Sequence, residues 1–490
     1  MEFLKQIEAS LYNIVNIINA YMADYVLIVL LVGIGLFFSF KTRFVQVRCF
    51  GEGLRQVFGN ISLKGKKQKS GMSSFQAVAT AIAGQVGTGN IVGASGAILV
   101  GGPGAIFWMW IIAFLGMATI YAEAILAQET RTVDSDGNVA GGPIYYIKRA
   151  FSGKFGTFLA GFFAVATVIA LGFVGGMVQS NSIGATFNTA FGIPTWVTGL
   201  VVAAIVGFIV IGGAQRIASA AEKIVPIMAI LYIVGGLTVL AVNITKIPET
   251  IGMIFKFAFQ PQALIGGGIG AALKTAISQG AKRGLFSNEA GMGSTPHAHA
   301  QANVEKPHDQ GVVAMIGVFI DTFVVLTMTA LVVISTLYAG NGILAGLTGD
   351  TYSVATSGAT AIISKTSAMQ TAFGTAVGTL FGETVGATIG NMFIAICLLF
   401  FAFSTIIGWN FFGRINVQYL FKNNKIATFI YSAIAIVFIF LGTLLSNDLV
   451  WELTDFFNYL MVIPNVLALL PLAAIVVSAS KSNKNSVLEK

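Results

Sequence analysis

The stretch GQVGTGN, residues 84–90, places three glycines and three polar side chains inside an otherwise apolar run. Glycine disfavours a helix, so this composition predicts a break where a membrane-spanning helix is expected. In hydrocarbon, unwound backbone is tolerated only where it is buried in protein or lines a polar cavity. Freed N–H groups at the start of a half-helix suit a carboxylate, and freed carbonyl groups suit a cation. One broken helix therefore offers both halves of a site for an amino acid and a cation.

A second apolar run, residues 262–294, has a similar character. It contains GGGIGAALKTAISQGAKRGLFSNEAGMG, with Thr275, Ser278, Gln279 and Gly280 near its centre, and we predict a second break there. Either run alone could instead be a tight helix crossing with small residues. Two glycine-interrupted spans in corresponding positions of two halves, however, point to the binding site of a transporter.

Two carboxylates within apolar spans are further candidates. Asp321 in VFIDTFVV is either a cation ligand or proton site, or a structural partner of Lys274. Glu123 in IYAEAIL is better explained as a structural pair or a gate contact. Phe173 and Trp409 could close over a substrate from neighbouring helices, although aromatic side chains in spans usually serve packing.

The three histidines favour no metal site at the level of sequence. His297, His299 and His308 fall in a predicted cytoplasmic loop, and neither a cysteine nor a close cluster of carboxylates completes a ligand set. The two cysteines, Cys49 and Cys397, are far apart, which argues against a disulfide framework. No G-x-x-x-x-G-K-[ST] motif occurs, so ATP-driven transport is disfavoured.

The elements that position these residues are membrane-spanning helices. Of 490 residues, 56% are hydrophobic and only 10% are charged, and the mean hydropathy is +0.82. Apolar runs of this kind predict an all-α polytopic membrane protein. We predict about eleven spans, at residues 25–42, 73–98, 104–128, 155–180, 194–213, 219–243, 262–294, 311–338, 388–413, 426–446 and 456–478.

The orientation follows from the distribution of basic residues. The loop after the first span carries Lys41, Arg43, Arg48, Arg55, Lys64, Lys66, Lys67 and Lys69, which predicts that it is cytoplasmic. The N-terminus is then outside and the C-terminus inside. The later basic residues expected inside are Arg131, Lys148, Arg149, Lys154, Arg216, Lys223, Lys282, Arg283, Lys306, Arg414, Lys422, Lys425, Lys481, Lys484 and Lys490. The net charge of +8 thus reflects loops rather than nucleic-acid binding.

Four segments follow from this order of spans. Residues 1–72 hold an amphipathic lead-in, a peripheral helix and the basic loop. Residues 73–243 and 244–480 form two sets of five helices, each beginning with a broken span, and residues 481–490 form a cytoplasmic tail.

Several long motifs resemble the alanine or glycine:cation symporter family. They are GGPGAIFWMW with its continuation IIAFLGMATIYAEAILAQ, GGPIYYI, GGMVQSNSI, KRGLFSNEAGMGSTPHAHA and the WxLxDxxNxLMxIPN pattern of residues 451–465. The resemblance covers nearly the whole chain. It implies the LeuT-type fold, an inverted repeat of five plus five helices, here with one extra N-terminal helix.

The resemblance also implies roles for individual residues. The N–H groups around Gly87, Thr88 and Gly89 would receive the substrate carboxylate. One sodium ion would be held by oxygen atoms of Ala83, Val86, Phe401, Ser404 and Thr405.

Other parts of the site follow from the same resemblance. Ser278, Gln279 and Gly280 would face the substrate amino group. Gln85 either narrows the cavity or bonds the substrate directly, which leaves a second sodium position around Asn90 open.

The function expected from these features is sodium-coupled symport that imports small neutral amino acids, alanine or glycine, by alternating access. Proton coupling is the first alternative, and a channel is a weaker one because the polar residues cluster at two breaks. A membrane-embedded hydrolase is disfavoured by the absence of an intramembrane histidine and of HExxH. We expect a multi-pass protein of a prokaryotic cell membrane, with sodium as the co-transported ion. Neither an organic cofactor, nor nucleic acid, nor an obligate protein partner is expected.

Overall fold

Helices make up most of the computed structural model, which describes residues 2–59, 72–133, 139–260, 269–356 and 359–482. The helices of eight or more residues are Glu2–Tyr21, Ile28–Lys41, Phe50–Gly59, Ser74–Gln85, Ala94–Gly101, Ala105–Thr130, Pro143–Ala150, Gly153–Thr167, Gly175–Phe191, Thr195–Ile211, Gly213–Val242, Ile247–Phe259, Ile269–Asn288, Pro307–Val318, Thr327–Leu337, Ala368–Phe381, Glu383–Leu420, Lys425–Gly442, Asn447–Leu469 and Ala473–Ser482.

Shorter segments join or flank these helices. Wider helical turns of π type occur at Met22–Leu27, Gly89–Gly93, Val168–Val174 and Phe319–Leu326. The remaining short helices are Val45–Arg48, Ile244–Lys246 and Pro296–His299. Two small antiparallel hairpins pair Thr132–Val133 with Val139–Ala140 and Thr351–Thr356 with Ala359–Ser364. These hairpins lie between helices and do not alter the all-α character of the protein.

The long apolar helices are those of a multi-pass membrane protein. Within the described residues, seven helical stretches are long and apolar enough to cross a membrane, or eight if the bent pair Asn447–Leu469 and Ala473–Lys481 forms one span. Each of the eleven predicted spans coincides, at least in part, with a helix or a broken helix. The exact number of crossings stays a prediction, because several of these helices are short or interrupted. Residues 60–71, 262–268 and 483–490 of the predicted segments lie outside the described residues.

A helical hairpin that the sequence analysis did not predict packs on the longest helix. Ala368–Phe381 turns back at Gly382 into Glu383–Leu420. The two helices approach closely because glycines face each other, and a side chain on Gly374 would meet the Cα atom of Ala387 at 3.0 Å. Small residues at such crossings let two backbones pack tightly in a membrane.

The first predicted break is confirmed. Ser73 caps the helix Ser74–Gln85 with a reciprocal capping box that involves Gln76. The helix ends at Val86, whose ψ angle of 91° is extended, and helical turns resume at Gly89. We call the two halves, Ser74–Gln85 and Gly89–Gly101, the first broken helix.

The second predicted break lies elsewhere than expected. Ile269–Asn288 is one continuous helix through residues 278–280, so the prediction of an unwound segment there is wrong. The helix ends after Asn288, where Glu289, Gly291 and Gly293 have φ angles of 58°, 90° and 80°. These left-handed conformations interrupt the helical hydrogen bonds and are easiest for glycine. We call this helix, with residues 289–295, the second broken helix.

The residues that follow also depart from the sequence analysis. His297 and His299 lie in the short buried helix Pro296–His299 rather than in an exposed loop. Lys282 and Arg283 lie within the second broken helix and are 8% exposed, so they belong to the predicted span and not to a loop. Arg283 and Lys365 both lie over the ring of Trp451.

Candidate functional site

The first break places its backbone groups next to polar side chains from other elements. The N–H group of Gly87 donates to Asn90 Oδ1 at 2.9 Å, and the N–H group of Thr88 donates to Gln179 Oε1 at 3.1 Å. All of these residues are buried. The unwound backbone is therefore satisfied by protein groups in this state, as burial in a membrane requires.

One hydroxyl gathers three backbone carbonyl groups at the first break. Thr405 Oγ1 lies 2.9 Å from the carbonyl oxygen of Ala83, 3.4 Å from that of Val86 and 3.1 Å from that of Phe401. Ser404 Oγ donates to the same Phe401 carbonyl at 2.8 Å. All five residues predicted to hold sodium thus lie together. Four of these oxygen atoms converge: Thr405 Oγ1 and the three carbonyl oxygens around it. The remaining one, Ser404 Oγ, contacts the sulfur of Met228 at 3.4 Å.

A buried carboxylate joins the two broken helices on the other side of the first break. Asn90 Nδ2 donates to Asp321 Oδ1 at 2.6 Å, and Ser287 Oγ lies 2.9 Å from Asp321 Oδ2. Thr322 Oγ1 also donates to Oδ2, at 2.8 Å. Lys274, the alternative structural partner, instead forms an ion pair with Asp24 at 2.7 Å, so its predicted pairing with Asp321 is wrong.

The second break meets the first through side chains. Gln85 Nε2 donates to the carbonyl oxygen of Asn288 at 2.8 Å, where the second broken helix ends. The carboxylate of Glu289 accepts hydrogen bonds from Trp409 Nε1 and from Ser294 Oγ. Trp409 therefore lies beside the site, as expected, and its indole is fixed by the unwound segment. The sequence analysis assigned no role to Ser287, Asn288 or Glu289, although all three belong to the motif SNEAGMG.

Close packing requires glycine at position 89, the last glycine of the first break. A Cβ atom on Gly89 would lie 2.9 Å from Phe286 Cδ1 and 3.1 Å from Ser287 Cα, so the two broken helices cross tightly here. Neither Gly87 nor Gly89 has a positive φ angle. A Cβ atom on Gly87 would collide with Thr405 Oγ1. Both glycines therefore allow close approach rather than an unusual backbone conformation.

Three buried polar atoms around the first break have no hydrogen-bond partner among the described residues. They are Gln85 Oε1, Thr88 Oγ1 and Gln179 Nε2. Leaving such atoms unpaired costs about 1–3 kcal/mol each, so they mark places where a polar ligand would be favoured. Gln179 was missed by the sequence analysis. Its polar surroundings, QSNS inside an apolar helix, were a signal that could have found it.

Four residues predicted to bind substrate lie away from this centre. Ser278 Oγ donates to Asp24 Oδ1 at 2.5 Å, and a side chain on Gly280 would meet the backbone carbonyl of Ala105 at 3.0 Å. Both therefore serve contacts with other helices. Gln279 lies between them on the continuous part of the same helix and is partly exposed.

Phe173 is the fourth of these residues. It packs on Phe438 and Tyr431, with ring centroids 5.0 Å and 5.6 Å away. Trp409 is faced by Gly175, two positions further along the chain, and not by Phe173. The structure therefore does not bring Ser278, Gln279, Gly280 and Phe173 to the break.

Charged groups cover the site on the side of Lys365. Arg283 makes two hydrogen bonds to Asp455, at 3.0 Å and 3.3 Å, while its guanidinium lies 4.6 Å from the ring centroid of Trp451. Lys282 Nζ lies 2.9 Å from Asp455 Oδ2 and 3.0 Å from Glu452 Oε1. We call this cluster the ion-pair lid.

A polar cluster covers the opposite side. Asn465 Nδ2 donates to Glu123 Oε1 and to the carbonyl oxygen of Gly291, and Tyr146 donates to Asn465 Oδ1. The N–H group of Gly291 lies 3.3 Å from Glu123 Oε2. Glu123 is therefore a structural partner of the second unwound segment, and we call this cluster the carboxamide lid. With both lids closed, the centre of the protein is buried from both sides.

Two broken helices that meet at a buried polar centre between two lids define the class of secondary transporters, not an enzyme. The chain belongs to the sodium:alanine symporter family, whose profile matches residues 8–489. It is an amino-acid:cation symporter. The resemblance found in the sequence motifs is thereby confirmed.

Relatives of this chain differ in the substrates that their names state. The chain is 38% identical over 471 residues to the sodium/alanine symporter AgcS of Methanococcus maripaludis, with 96% of both chains covered. It is 40% identical over 458 residues to a putative sodium/proton-dependent alanine carrier protein, YrbD of Bacillus subtilis, covering 93% and 89% of the two chains. It is 37% identical over 471 residues to the probable sodium/glutamine symporter GlnT of Bacillus subtilis, covering 96% and 90%.

Solved structures confirm the LeuT-type fold. MhsT in complex with L-phenylalanine superposes with a TM-score of 0.56 at 13% identity, covering 84% of this chain and 98% of that chain. A mutant manganese transporter of Eremococcus coleocola superposes with a TM-score of 0.51 at 12% identity, covering 83% and 78%. At these identities the likeness concerns the fold alone.

Proposed function

We propose that this protein imports a small neutral amino acid together with sodium ions. The observation that carries the proposal is the convergence of Thr405 Oγ1 with the carbonyl oxygens of Ala83, Val86 and Phe401. Four oxygen atoms, from two segments that lie far apart in the sequence, form a cage of hard, uncharged ligands. Sodium prefers such ligands, and binding there would tie the first break to the helix Glu383–Leu420.

The substrate carboxylate would bind at the first break. The Thr88 N–H group now donates to Gln179 Oε1, while Gln179 Nε2 and Thr88 Oγ1 are unpaired. A carboxylate in the place of Gln179 Oε1 would accept hydrogen bonds from the Thr88 N–H group, the Thr88 hydroxyl and Gln179 Nε2. Rotation of the Gln179 amide would turn its N–H groups towards the carboxylate. Charge-assisted hydrogen bonds of this type are about twice as strong as neutral ones.

The amino group would be received from the other break. Gln85 Oε1 is an unpaired acceptor, and the carbonyl oxygen of Asn288 ends the second broken helix beside it. Carbonyl groups at a helix C-terminus carry partial negative charge and suit an ammonium group. The acceptors expected from Ser278, Gln279 and Gly280 are not needed, because the second break begins at Glu289, about two and a half to three helical turns further on.

Tight packing favours a small substrate side chain. Phe286 and Trp409 lie edge to face, with centroids 5.8 Å apart, directly beside the first break. Gly89 contacts Phe286, and Gln85 fills the space towards Gly317. We therefore propose alanine or glycine as substrate and consider a longer side chain, as the name of GlnT suggests for that relative, less compatible with this centre.

Asp321 supports a second cation position or a proton site. No lysine, arginine or histidine of the described segments forms an ion pair with this fully buried carboxylate. A buried unpaired carboxylate is costly, so it must hold either a proton or a bound cation. Asn90 and Ser287 would complete a sodium position between both broken helices, and this geometry keeps proton coupling as the second candidate.

The two lids would give alternating access. In this proposal the ion-pair lid closes the side of Lys365 and the carboxamide lid closes the other side. We propose a prokaryotic cell membrane as the location, with the N-terminus outside and two inverted sets of five helices at residues 73–243 and 244–480. Single cysteines at positions 10 and 485, in a background without Cys49 and Cys397, should react with an impermeant thiol reagent from opposite sides of the membrane.

Binding and counterflow measurements test the function itself. Purified protein should bind labelled alanine or glycine in sodium chloride but at least tenfold more weakly in choline chloride. In vesicles, unlabelled substrate inside should drive uptake of labelled substrate, which a channel cannot do. Equal binding with and without sodium at constant pH would contradict sodium coupling. Binding that instead follows a proton gradient would establish the second candidate.

A further inference from the structure

A thiol, an imidazole and a carboxylate meet at the start of the helix Pro307–Val318, outside the two broken helices. The sulfur of Cys49, a ring nitrogen of His308 and a carboxylate oxygen of Glu52 all lie within 4.8 Å of one another. A metal site was not expected from the sequence, because neither a cysteine nor a close cluster of carboxylates completes a ligand set near the histidines. The fold supplies both, from a segment more than 250 positions earlier. We propose that these three residues bind a zinc ion.

The donor set has the chemistry that zinc requires. Zinc is held by thiolate sulfur, imidazole nitrogen and carboxylate oxygen, with bond lengths of about 2.0–2.3 Å. Tetrahedral ligands at such bond lengths lie about 3.5 Å apart. His308 Nε2 and Glu52 Oε1 are already 3.3 Å apart, so only a small movement of the thiol closes the set. A thiolate and an imidazole together disfavour the hard cations sodium, magnesium and calcium.

The imidazole is oriented for this role. Its other nitrogen, His308 Nδ1, lies 2.7 Å from the hydroxyl of Tyr121, which is buried in the helix Ala105–Thr130. If Nδ1 donates to the tyrosine oxygen, the lone pair on Nε2 faces Cys49 and Glu52. Among the described residues Nε2 makes no hydrogen bond of good geometry. A histidine whose second nitrogen is fixed by an oxygen atom is the usual arrangement of a zinc ligand.

The cluster is closed on the protein side and open on the other. The side chain of His308 is 2% exposed and Cys49 is 6% exposed, whereas the side chain of Glu52 is 33% exposed. Glu52 thus provides the path by which an ion enters, and the fourth position is left for water. Binding would release the thiol proton to solvent, since the thiolate is the ligand.

Zinc at this point would fasten one segment of the protein to another. Cys49 directly precedes the helix Phe50–Gly59, and Glu52 lies in the first turn of that helix. The helix lies against the helix of His308 because Gly53 has no side chain. A Cβ atom on Gly53 would lie 2.7 Å from Ile316 Cγ1 and 2.8 Å from the carbonyl oxygen of Val312. Phe50 and Phe319 pack edge to face further along. The metal would therefore tie the segment after the first long helix to the helix that carries Asp321.

Cobalt titration of the purified full-length protein tests the site. Protein freed of metal with a chelator should bind one Co²⁺ per chain with a thiolate-to-cobalt absorption band, and Zn²⁺ should displace it. Zn²⁺ should also raise the melting temperature. Cys49→Ser should abolish the band, and Glu52→Gln should weaken Co²⁺ binding at least tenfold. Cys397→Ala, which removes the other cysteine, is the matched control and should bind like wild type.

The outcomes separate a metal site from a hydrogen-bonded cluster. Metal-free Cys49→Ser protein with a wild-type melting temperature shows that the loss of the band reflects a lost ligand. If Cys49→Ser does not fold, Glu52→Gln, at a partly exposed position, carries the test alone. The proposal is overturned if no stoichiometric Co²⁺ binds, if the band is missing, or if Cys49→Ser and Glu52→Gln both bind Co²⁺ as tightly as wild type.

Discussion

The hydroxyl oxygen of Thr405 lies 2.9 Å from the backbone carbonyl oxygen of Ala83, across 322 positions of sequence. This contact exists because the first half of the first broken helix ends one turn later, at Val86, and leaves carbonyl groups without helical donors. In the absence of an ion the hydroxyl donates one proton among these carbonyl oxygens. A sodium ion would interact with all of them at once, which links its binding to the shape of the substrate site.

Thr405→Ala should weaken sodium dependence more than substrate choice. The change removes one of four converging oxygen atoms but leaves the backbone of the first break in place. We expect the sodium concentration for half-maximal substrate binding to rise at least tenfold, equivalent to about 1.4 kcal/mol. The ranking of alanine, glycine and serine in competition binding should stay the same.

The control for Thr405 lies in the same helix. Thr388 is exposed, and its hydroxyl only donates to the carbonyl oxygen of Thr384 one turn earlier. Thr388→Ala should leave sodium activation unchanged. Unaltered sodium activation in Thr405→Ala protein would show that the cage is not the sodium site.

Asp321→Asn should remove one coupled charge per transport cycle. The amide keeps the size of the carboxylate but has no charge, so it can balance neither a sodium ion nor a proton. We expect the ratio of cations to substrate, measured from reversal potentials in vesicles, to fall by about one. Asp448→Asn is the control, because that carboxylate is 70% exposed and pairs with Lys365. A cation ratio identical to wild type in Asp321→Asn protein would assign Asp321 a purely structural role.

The parts of the site that depend on local composition could be predicted from the sequence. The stretch GQVGTGN predicts the first break because three glycines and three polar residues are unfavourable in a lipid-embedded helix. The meeting of Thr405 with the carbonyl groups of Ala83, Val86 and Phe401 was expected from the resemblance, and the structure shows these contacts. Trp409 was expected near the substrate, and its indole does contact the second unwound segment.

The second break could not be located in this way, because two candidate stretches compete in one helix. Residues 278–280 are polar and contain a glycine, yet Gly280 is needed for the crossing with Ala105 and Ser278 pairs with Asp24. These partners come from helices far away in sequence. The true break at Glu289 depends on left-handed conformations at three alternate positions, 289, 291 and 293, which side-chain polarity does not reveal. Cys49 and His308 likewise meet only through the packing of Gly53.

Gly87→Ala should abolish sodium-dependent binding while the protein still folds. Its methyl group would displace Thr405 Oγ1 and press on Gln179 Oε1, so both the cage and the carboxylate position are affected. Gly93→Ala is the control in the half-helix that follows the break, since its methyl group would meet Trp451 and Arg283 only at 3.6 Å and 3.8 Å. We expect Gly93→Ala to bind alanine like wild type. Scintillation proximity binding on folded, monodisperse protein measures both.

Gly89→Ala is a less specific test than its position in the motif suggests. Its methyl group would meet Phe286 at 2.9 Å, so a loss of binding would arise from packing between the broken helices as well as from the substrate. We expect Gly89→Ala to lower the melting temperature, whereas Gly87→Ala should affect binding more than stability. Wild-type affinity for alanine in Gly87→Ala protein would contradict the assignment of the first break.

Gln179→Leu should weaken substrate binding without altering the sodium cage. The substitution keeps the side-chain size but removes the amide that faces the N–H group of Thr88. We expect the dissociation constant for alanine at saturating sodium to rise at least tenfold. Ser182→Ala, one turn further along the same helix, removes a hydroxyl that only donates to the carbonyl oxygen of Val178 and should be neutral. A sodium midpoint that shifts as much as the substrate affinity would argue against a direct role of Gln179.

The contacts within the ion-pair lid predict an order in the stabilities of its variants. Asp455 forms ion pairs with both Arg283 and Lys282, and Lys282 forms a second ion pair with Glu452. Asp455→Asn leaves Arg283 buried without a carboxylate and should cost about 3–5 kcal/mol. Arg283→Gln should cost less, because Lys282 still neutralises Asp455 at 2.9 Å.

An exposed pair provides the reference for the lid. Asp448→Asn removes the ion pair with Lys365 at 2.8 Å, and pairs of this exposure contribute about 0–1 kcal/mol. Thermal unfolding of the purified variants should therefore rank Asp455→Asn below Arg283→Gln, and Arg283→Gln below Asp448→Asn. Because the lid holds the site closed on this side, Asp455→Asn should also make a cysteine introduced at Gly93 react faster with a thiol reagent. Equal melting temperatures for Asp455→Asn and Asp448→Asn would mean that the lid does not hold this side closed.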